Sequence, residues 1–302
     1  MTNSRTPSRT FDIVARGPFE FAQSVYFWQG FTLANAGEGA HESSIDLAFV
    51  PFESDHAIGI RATGIPGGLH AEVYGDAPDR IEQDIARIFS LDVDGRGFDD
   101  VAKRNPELER LFDFFPGSRP VLFPTPYEAA AWAIISQRVR MTQAAKVKAN
   151  LERELGEIVR FPDNELHAFP APSVLRTLGP FPGLMATKVE RLHALAEVAN
   201  EVLDPAWLRA RSPEEADAAV RQIPGIGEFS AELILLRGAG FPDQLPLTGQ
   251  HIGEGIARLY RLHALPSEKQ IREIAENWRP FRGWVAFLLH RLYRDEIPLE
   301  AL

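Results

Sequence analysis

Ile223-Pro224-Gly225-Ile226-Gly227-Glu228-Phe229-Ser230-Ala231-Glu232 is the stretch on which the fold turns. Upstream of it, Ser212-Pro213-Glu214-Glu215 sets an N-cap hydroxyl, a first-turn proline and two acids in order, which predicts a helix from Pro213 to Ile223. Two glycines separated by one apolar residue then allow a tight turn, and a second helix is predicted from Glu228 to Gly238. Glycine suits this place because the backbone bends sharply and presents bare N–H groups, to which the helix N-terminus adds partial positive charge. Such a turn takes a phosphate oxygen without basic side chains. Taken alone, a Gly-x-Gly between helices is more often a tight turn with no ligand.

The surroundings of the turn are helical. Thr125-Pro126-Tyr127-Glu128 marks a helix start ahead of the apolar run Ala129 to Ile135. Further helices are predicted from Thr142 to Leu155, Ser173 to Leu178, Thr187 to Leu203 and Ser267 to Trp278, giving about eight in an all-α region, 120–302. Before the connector Pro116-Gly117-Ser118-Arg119-Pro120 the texture differs. Phe11–Val14, Ser44–Val50, Ile58–Ala62 and Ala71–Tyr74 alternate in the manner of strands, and Ile81, Ile85, Ile88 and Phe89 recur at helical spacing. Residues 1–119 are therefore expected to form an α+β domain with an antiparallel sheet.

Composition narrows the chemistry. The 302 residues contain no cysteine, which excludes disulfides, an iron–sulfur cluster, a thiolate zinc site and a cysteine nucleophile. The eight histidines show no spacing that suggests a ligand set, so no metal held by side chains is expected. The longest apolar runs, Ala129–Ile135 and Trp284–Leu289, fall far short of the roughly 20 residues of a membrane span. No membrane role and a cytoplasmic, nucleoid-associated location are expected. A net charge of −10 argues at first against a nucleic-acid partner. The charge is uneven, however: residues 1–119 carry 19 acids and 11 bases, residues 120–302 carry 23 and 21.

Four blocks in order resemble the helix–hairpin–helix DNA glycosylase superfamily, and within it most of all the bacterial 3-methyladenine DNA glycosylase II family. They are Tyr127 to Val139 with its Gln137-Arg138-Val139 turn followed by Ala144-Ala145-Lys146; Leu178-Gly179 with Lys188 to Leu195; the hairpin with Ala231-Glu232 and Leu236-Arg237-Gly238; and Trp278-Arg279-Pro280-Phe281-Arg282 running on to His290. The resemblance implies an α+β antiparallel-sheet domain, 1–119, followed by an all-helical helix–hairpin–helix glycosylase domain, 120–302. It implies a DNA repair enzyme of base excision, acting as a monomer on double-stranded DNA with damaged bases and hydrolysing the N-glycosidic bond of alkylated purines of the 3-methyladenine and 7-methylguanine type.

It also implies roles. Arg138, next to Gln137, would be the wedge that fills the vacated stack, with Gln137 and Arg140 also on the DNA, and Pro224, Gly225, Ile226 and Gly227 would hold phosphate, with a monovalent cation at Gly225-Ile226-Gly227. Trp132, Phe229, Trp278, Trp284 and Tyr293 are the aromatics available to line a base pocket. Phe229 stands where lyase relatives carry a Schiff-base lysine, so the enzyme would be monofunctional. The family's catalytic Asp is missing: its place falls on Thr248 or Gly249, depending on the alignment, with Asp243 and Glu254 the nearest acids. Two readings are open: a glycosylase whose cationic leaving group needs little help, and a catalytically impaired lesion-binding paralogue.

Overall fold

The structure, a computed structural model, describes residues 6–29, 43–295 and 297. Strands β1 (Arg9–Val14), β2 (Ser44–Phe49), β3 (Ile58–Ile65) and β4 (Gly68–Tyr74) form one antiparallel sheet in the order β1-β4-β3-β2. The predicted alternation sets the register: Phe11 faces Ala71 across β1 and β4, and Ile60 faces Val73 across β3 and β4. Ile45, Ile58, Ile60, Leu69 and Val73 are fully buried on it. Helices α1 (Phe21–Gln29), α2 (Ile81–Ile88), α3 (Asp99–Arg104) and α4 (Pro106–Phe114) complete this part.

After the connector come α5 (Pro126–Ile135), α6 (Met141–Leu155), α7 (Pro172–Leu175), α8 (Ala186–Val202), α9 (Pro205–Arg209) and α10 (Pro213–Val220). Next is α11 (Glu228–Leu233), which runs without a break into a π-helical turn, Ile234–Ala239. Helices α12 (Gln250–Leu259), α13 (Glu268–Ala275) and α14 (Arg282–Arg294) complete the chain's described elements. The caps are those expected: Thr125 accepts from Glu128 N–H at 3.1 Å, and Ser212 and Glu215 form a capping box.

One correction to the all-α expectation is a small hairpin, β5 (Ile158–Arg160) with β6 (Glu165–His167). Each strand has three residues, too short to leave a period in the sequence. Val159 and Phe161 pack with Tyr74 of the sheet, and Gly59 lets them close: a Cβ there would meet Val159 at 2.6 Å.

Two cores hold the chain together, and they do not part at residue 119. One joins the sheet and α2 to Ile252, Ile256, Trp278, Trp284, Leu289 and Leu292 of the C-terminal helices. The other is built from residues 123–241, around α5, every residue of which is buried. One interior arginine stitches the seam, and a second anchors the connector to the first core. Arg87 donates to the carbonyls of Phe123, Pro124 and Gly238, and Arg119 donates to Pro18, Ser90, Val93 and Arg16. Burial pulls both pKa values down, that of Arg119 to about 10, which still leaves it charged at neutral pH.

Lys148 of α6 is buried between Glu128, at 2.9 Å, and Glu152, over the ring of Phe169. Burial opposes its charge, but the two carboxylates outweigh that and raise its pKa. Removing the cation leaves two buried acids facing each other, so Lys148→Met is expected to cost about 3–5 kcal/mol of stability in urea unfolding at pH 7. A loss below about 1 kcal/mol would show that the triad holds little of the second core.

Candidate functional site

The Gly225 turn is built from inside outward. Ile223 and Ile226 point into the second core, Pro224 and Gly227 are exposed, and Gly225 takes φ +90°, which favours glycine. A Cβ on Gly225 would strike Arg191 Cδ of α8 at 2.5 Å, whereas one on Gly227 would meet nothing within 4 Å. Gly227 is the N-cap of α11, so the first N–H groups of that helix open toward solvent beside an uncovered glycine.

The turn at the end of α5 meets this hairpin directly. Gln137 Nε2 donates to Gly225 O at 2.7 Å, and Arg191 Nη1 donates to Gln137 Oε1 at 2.6 Å. Lys188 Nζ, one helical turn before Arg191, donates to Ile135 O at 2.7 Å and closes the end of α5. Burial lowers the pKa of Lys188, and Arg191 adds to the effect. Arg138, next to Gln137, has φ +55° and a side chain toward solvent, and Arg140 is exposed. Among the described residues neither guanidinium has a hydrogen bond or ion pair. The wedge candidates and the hairpin candidates therefore lie on one surface, joined by the Gln137 amide.

The pocket candidates separate. Trp278 is fully enclosed in the first core with its Nε1 on Tyr260 Oη at 3.2 Å, and Trp284 packs between Phe98 and Phe281 at ring distances of 5.0 and 5.1 Å. Trp132 is buried in the second core. These three indoles fill core space, each enclosed by the apolar neighbours of its own core, and no ring face is left for a base in this conformation. Phe229 is 60% exposed on the first turn of α11, and Tyr293 is 44% exposed near the end of α14.

The acids sort in a similar way. Asp243 is committed to α14: it accepts from Arg279 Nη1 at 2.7 Å, Arg282 Nη2 at 2.9 Å and Arg282 N–H at 3.2 Å, capping the start of that helix. It is thus a brace for the Trp278–Arg282 block and not a spare carboxylate. Glu254 lies half-buried on α12, four residues past its start. Gly249 is the N-cap of α12 with φ −89° and open space around it. Thr248 faces an acid to which the residue pattern assigns no role: Glu232 of α11 accepts hydrogen bonds from Leu247 N–H, Thr248 N–H and the Thr248 hydroxyl. Arg191 and Glu232 both reach across many residues to make these contacts, and no local spacing announces that.

Residues 131–280 match the HhH-GPD superfamily of base excision DNA repair proteins. The chain is 24% identical over 209 residues to a DNA-3-methyladenine glycosylase of Bacillus subtilis, covering 68% of this chain and 69% of that one. It is 29% identical over 206 residues to DNA-3-methyladenine glycosylase 2 of Escherichia coli, covering 63% and 65%. Its fold is similar to that of the 3-methyladenine DNA-glycosylase from Archaeoglobus fulgidus, with a TM-score of 0.75 and 21% identity over 96% of this chain and 99% of that one. The matched residues include the Gln137 turn and the hairpin, and the chain is a member of the HhH-GPD superfamily of base excision DNA repair proteins.

Proposed function

We propose that the chain is a monofunctional DNA N-glycosylase that releases alkylated purines of the 3-methyladenine and 7-methylguanine type from duplex DNA. The observation that carries this reading is the Gln137 bridge, which sets two solvent-facing arginines beside an open glycine turn. The N–H groups of the turn grip a phosphate, Arg138 enters the space the flipped nucleotide leaves, and the exposed ring of Phe229 offers a stacking face for the base. The C1′–N bond then breaks with its electron pair going to the purine. A 3- or 7-alkylpurine is cationic, so departure neutralises it, and water adds to the sugar cation that remains. Phe229 has no amine to attack the sugar, which supports hydrolysis without lyase chemistry.

A monovalent cation at Gly225-Ile226-Gly227 fits the donors present. Ile223 O and Gly225 O each accept one hydrogen bond, from Ile226 N–H and from Gln137, and a carbonyl oxygen has a second lone pair. The second reading, a lesion-binding paralogue, draws on the Thr248-Gly249 pair where the relatives' acid is expected.

Measuring free base released from methylated duplex DNA decides between the two. Release of 3-methyladenine or 7-methylguanine above the buffer rate is expected; tight lesion binding with no release would reject the hydrolase in favour of the binder. For the clamp, Gly227→Ala should leave stability within about 0.5 kcal/mol, since the new methyl meets nothing. It should weaken duplex binding roughly tenfold or more on any sequence, through a lost N–H to phosphate contact. Unchanged affinity would remove the hairpin from the DNA interface. With few ion pairs to DNA and the acidic sheet turned away from it, log Kd should vary with log salt with a slope of magnitude about 2 to 4, not the roughly 10 of a strongly basic binder.

A further inference from the structure

Glu232 is largely buried, yet its carboxylate is held by hydrogen bonds alone. Leu247 N–H donates to Oε1 at 2.8 Å, Thr248 N–H donates to Oε2 at 3.1 Å, and the Thr248 hydroxyl donates to the same Oε2. Among the described residues no Lys or Arg pairs with it. A carboxylate fixed by neutral donors keeps its charge directed at whatever approaches those donors, whereas Asp243 has two guanidiniums against it. Thr248 has one hydroxyl proton and gives it to Glu232, so its lone pairs are left to accept a proton from outside. The pair also sits in the right region. Glu232 lies on the hairpin helix about 7 Å along the axis from Gly227, and Phe229, three residues earlier, shares its side of the helix.

We propose that Glu232 and Thr248 together replace the missing aspartate, with Glu232 as proton acceptor and Thr248 as relay. This rests on the glycosylase reading above. The C1′–N bond breaks and its electrons leave with the neutralised purine, while the buried carboxylate stabilises the positive sugar. Water then bonds through oxygen to C1′ and gives one proton to the Thr248 oxygen as that oxygen passes its own proton to Glu232. The sugar keeps a C1′ hydroxyl, and Glu232 later returns the proton to solvent. No oxidant, metal or covalent enzyme intermediate enters.

The test is single-turnover release of 7-methylguanine from methylated duplex DNA, read beside duplex affinity and melting temperature. Glu232→Gln keeps the size; its amide oxygen can still accept from the Leu247 N–H, while its amide nitrogen faces the Thr248 hydroxyl oxygen and donates to it instead of accepting. It is expected to slow release about 100-fold with affinity and melting within about twofold and two degrees of wild type. Thr248→Val should lose a comparable factor, and Thr248→Ser, which keeps the hydroxyl, should stay within about threefold. The double variant Glu232→Gln with Thr248→Asp supplies the carboxylate directly and should recover most of the rate. If Glu232→Gln releases base within about threefold of wild type, the inference fails and the glycosylase reading stands. It fails equally if the rate falls only in step with affinity or melting and the double variant recovers nothing, because Glu232 is then a brace for the 247–248 segment. Absence of release from the wild-type protein would overturn both.

Discussion

The close approach of two helices organises this molecule. A Cβ on Gly238, in the π-helical turn, would lie 2.9 Å from Pro126 Cα and 3.1 Å from Ala129 Cβ, so the turn and α5 touch backbone to backbone. Alanines on α5 and a glycine opposite make that spacing possible, and larger residues at either place would force the helices apart. The effect of the contact is positional. The end of α5 carries the Gln137 turn, and α11, continuous with the π-helical turn, carries the hairpin. The distance between the Gln137 turn and the glycine hairpin is thereby set by rigid core and not by loops, which is the condition under which a single amide can bridge them.

The charge distribution acquires a physical sense from the same arrangement. The proposed DNA face has two arginines without a partner among the described residues and a set of backbone N–H groups. Interior guanidiniums, those of Arg87 and Arg119 among them, are instead spent on carbonyl oxygens inside the protein. Arginine in this chain is largely a structural donor. A bulk charge of −10 is compatible with the proposed phosphate recognition, which draws on backbone N–H groups.

Much of this was legible in the residues. Strand alternation around Ile45, Ile60 and Val73, the proline-led helix starts at Thr125 and Ser212, and the Gly225-Ile226-Gly227 turn each arise from local chemistry, and each is present. The three-residue strands β5 and β6 were not legible, because so short a stretch has no period. Nor was the burial of Trp278 and Trp284, whose neighbours Tyr260 and Phe98 come from distant sequence. The same reason hid Glu232. It stands within one of the four blocks that carry the family resemblance, but its contact with Thr248 spans 16 residues and depends on how the chain returns after the π-helical turn.

The shared core of the sheet and the C-terminal helices bears on how the chain reaches this state. Ile13 and Leu292 belong to one apolar cluster, as do Phe27 and Phe287, whose rings are 4.9 Å apart. Contacts of such long sequence separation demand large loop-closure entropy before they return any burial, which slows the search. The second core, confined to residues 123–241, closes over shorter separations. The unit that bears the hairpin can therefore condense from nearer neighbours, whereas the sheet's core cannot close until α14 is present.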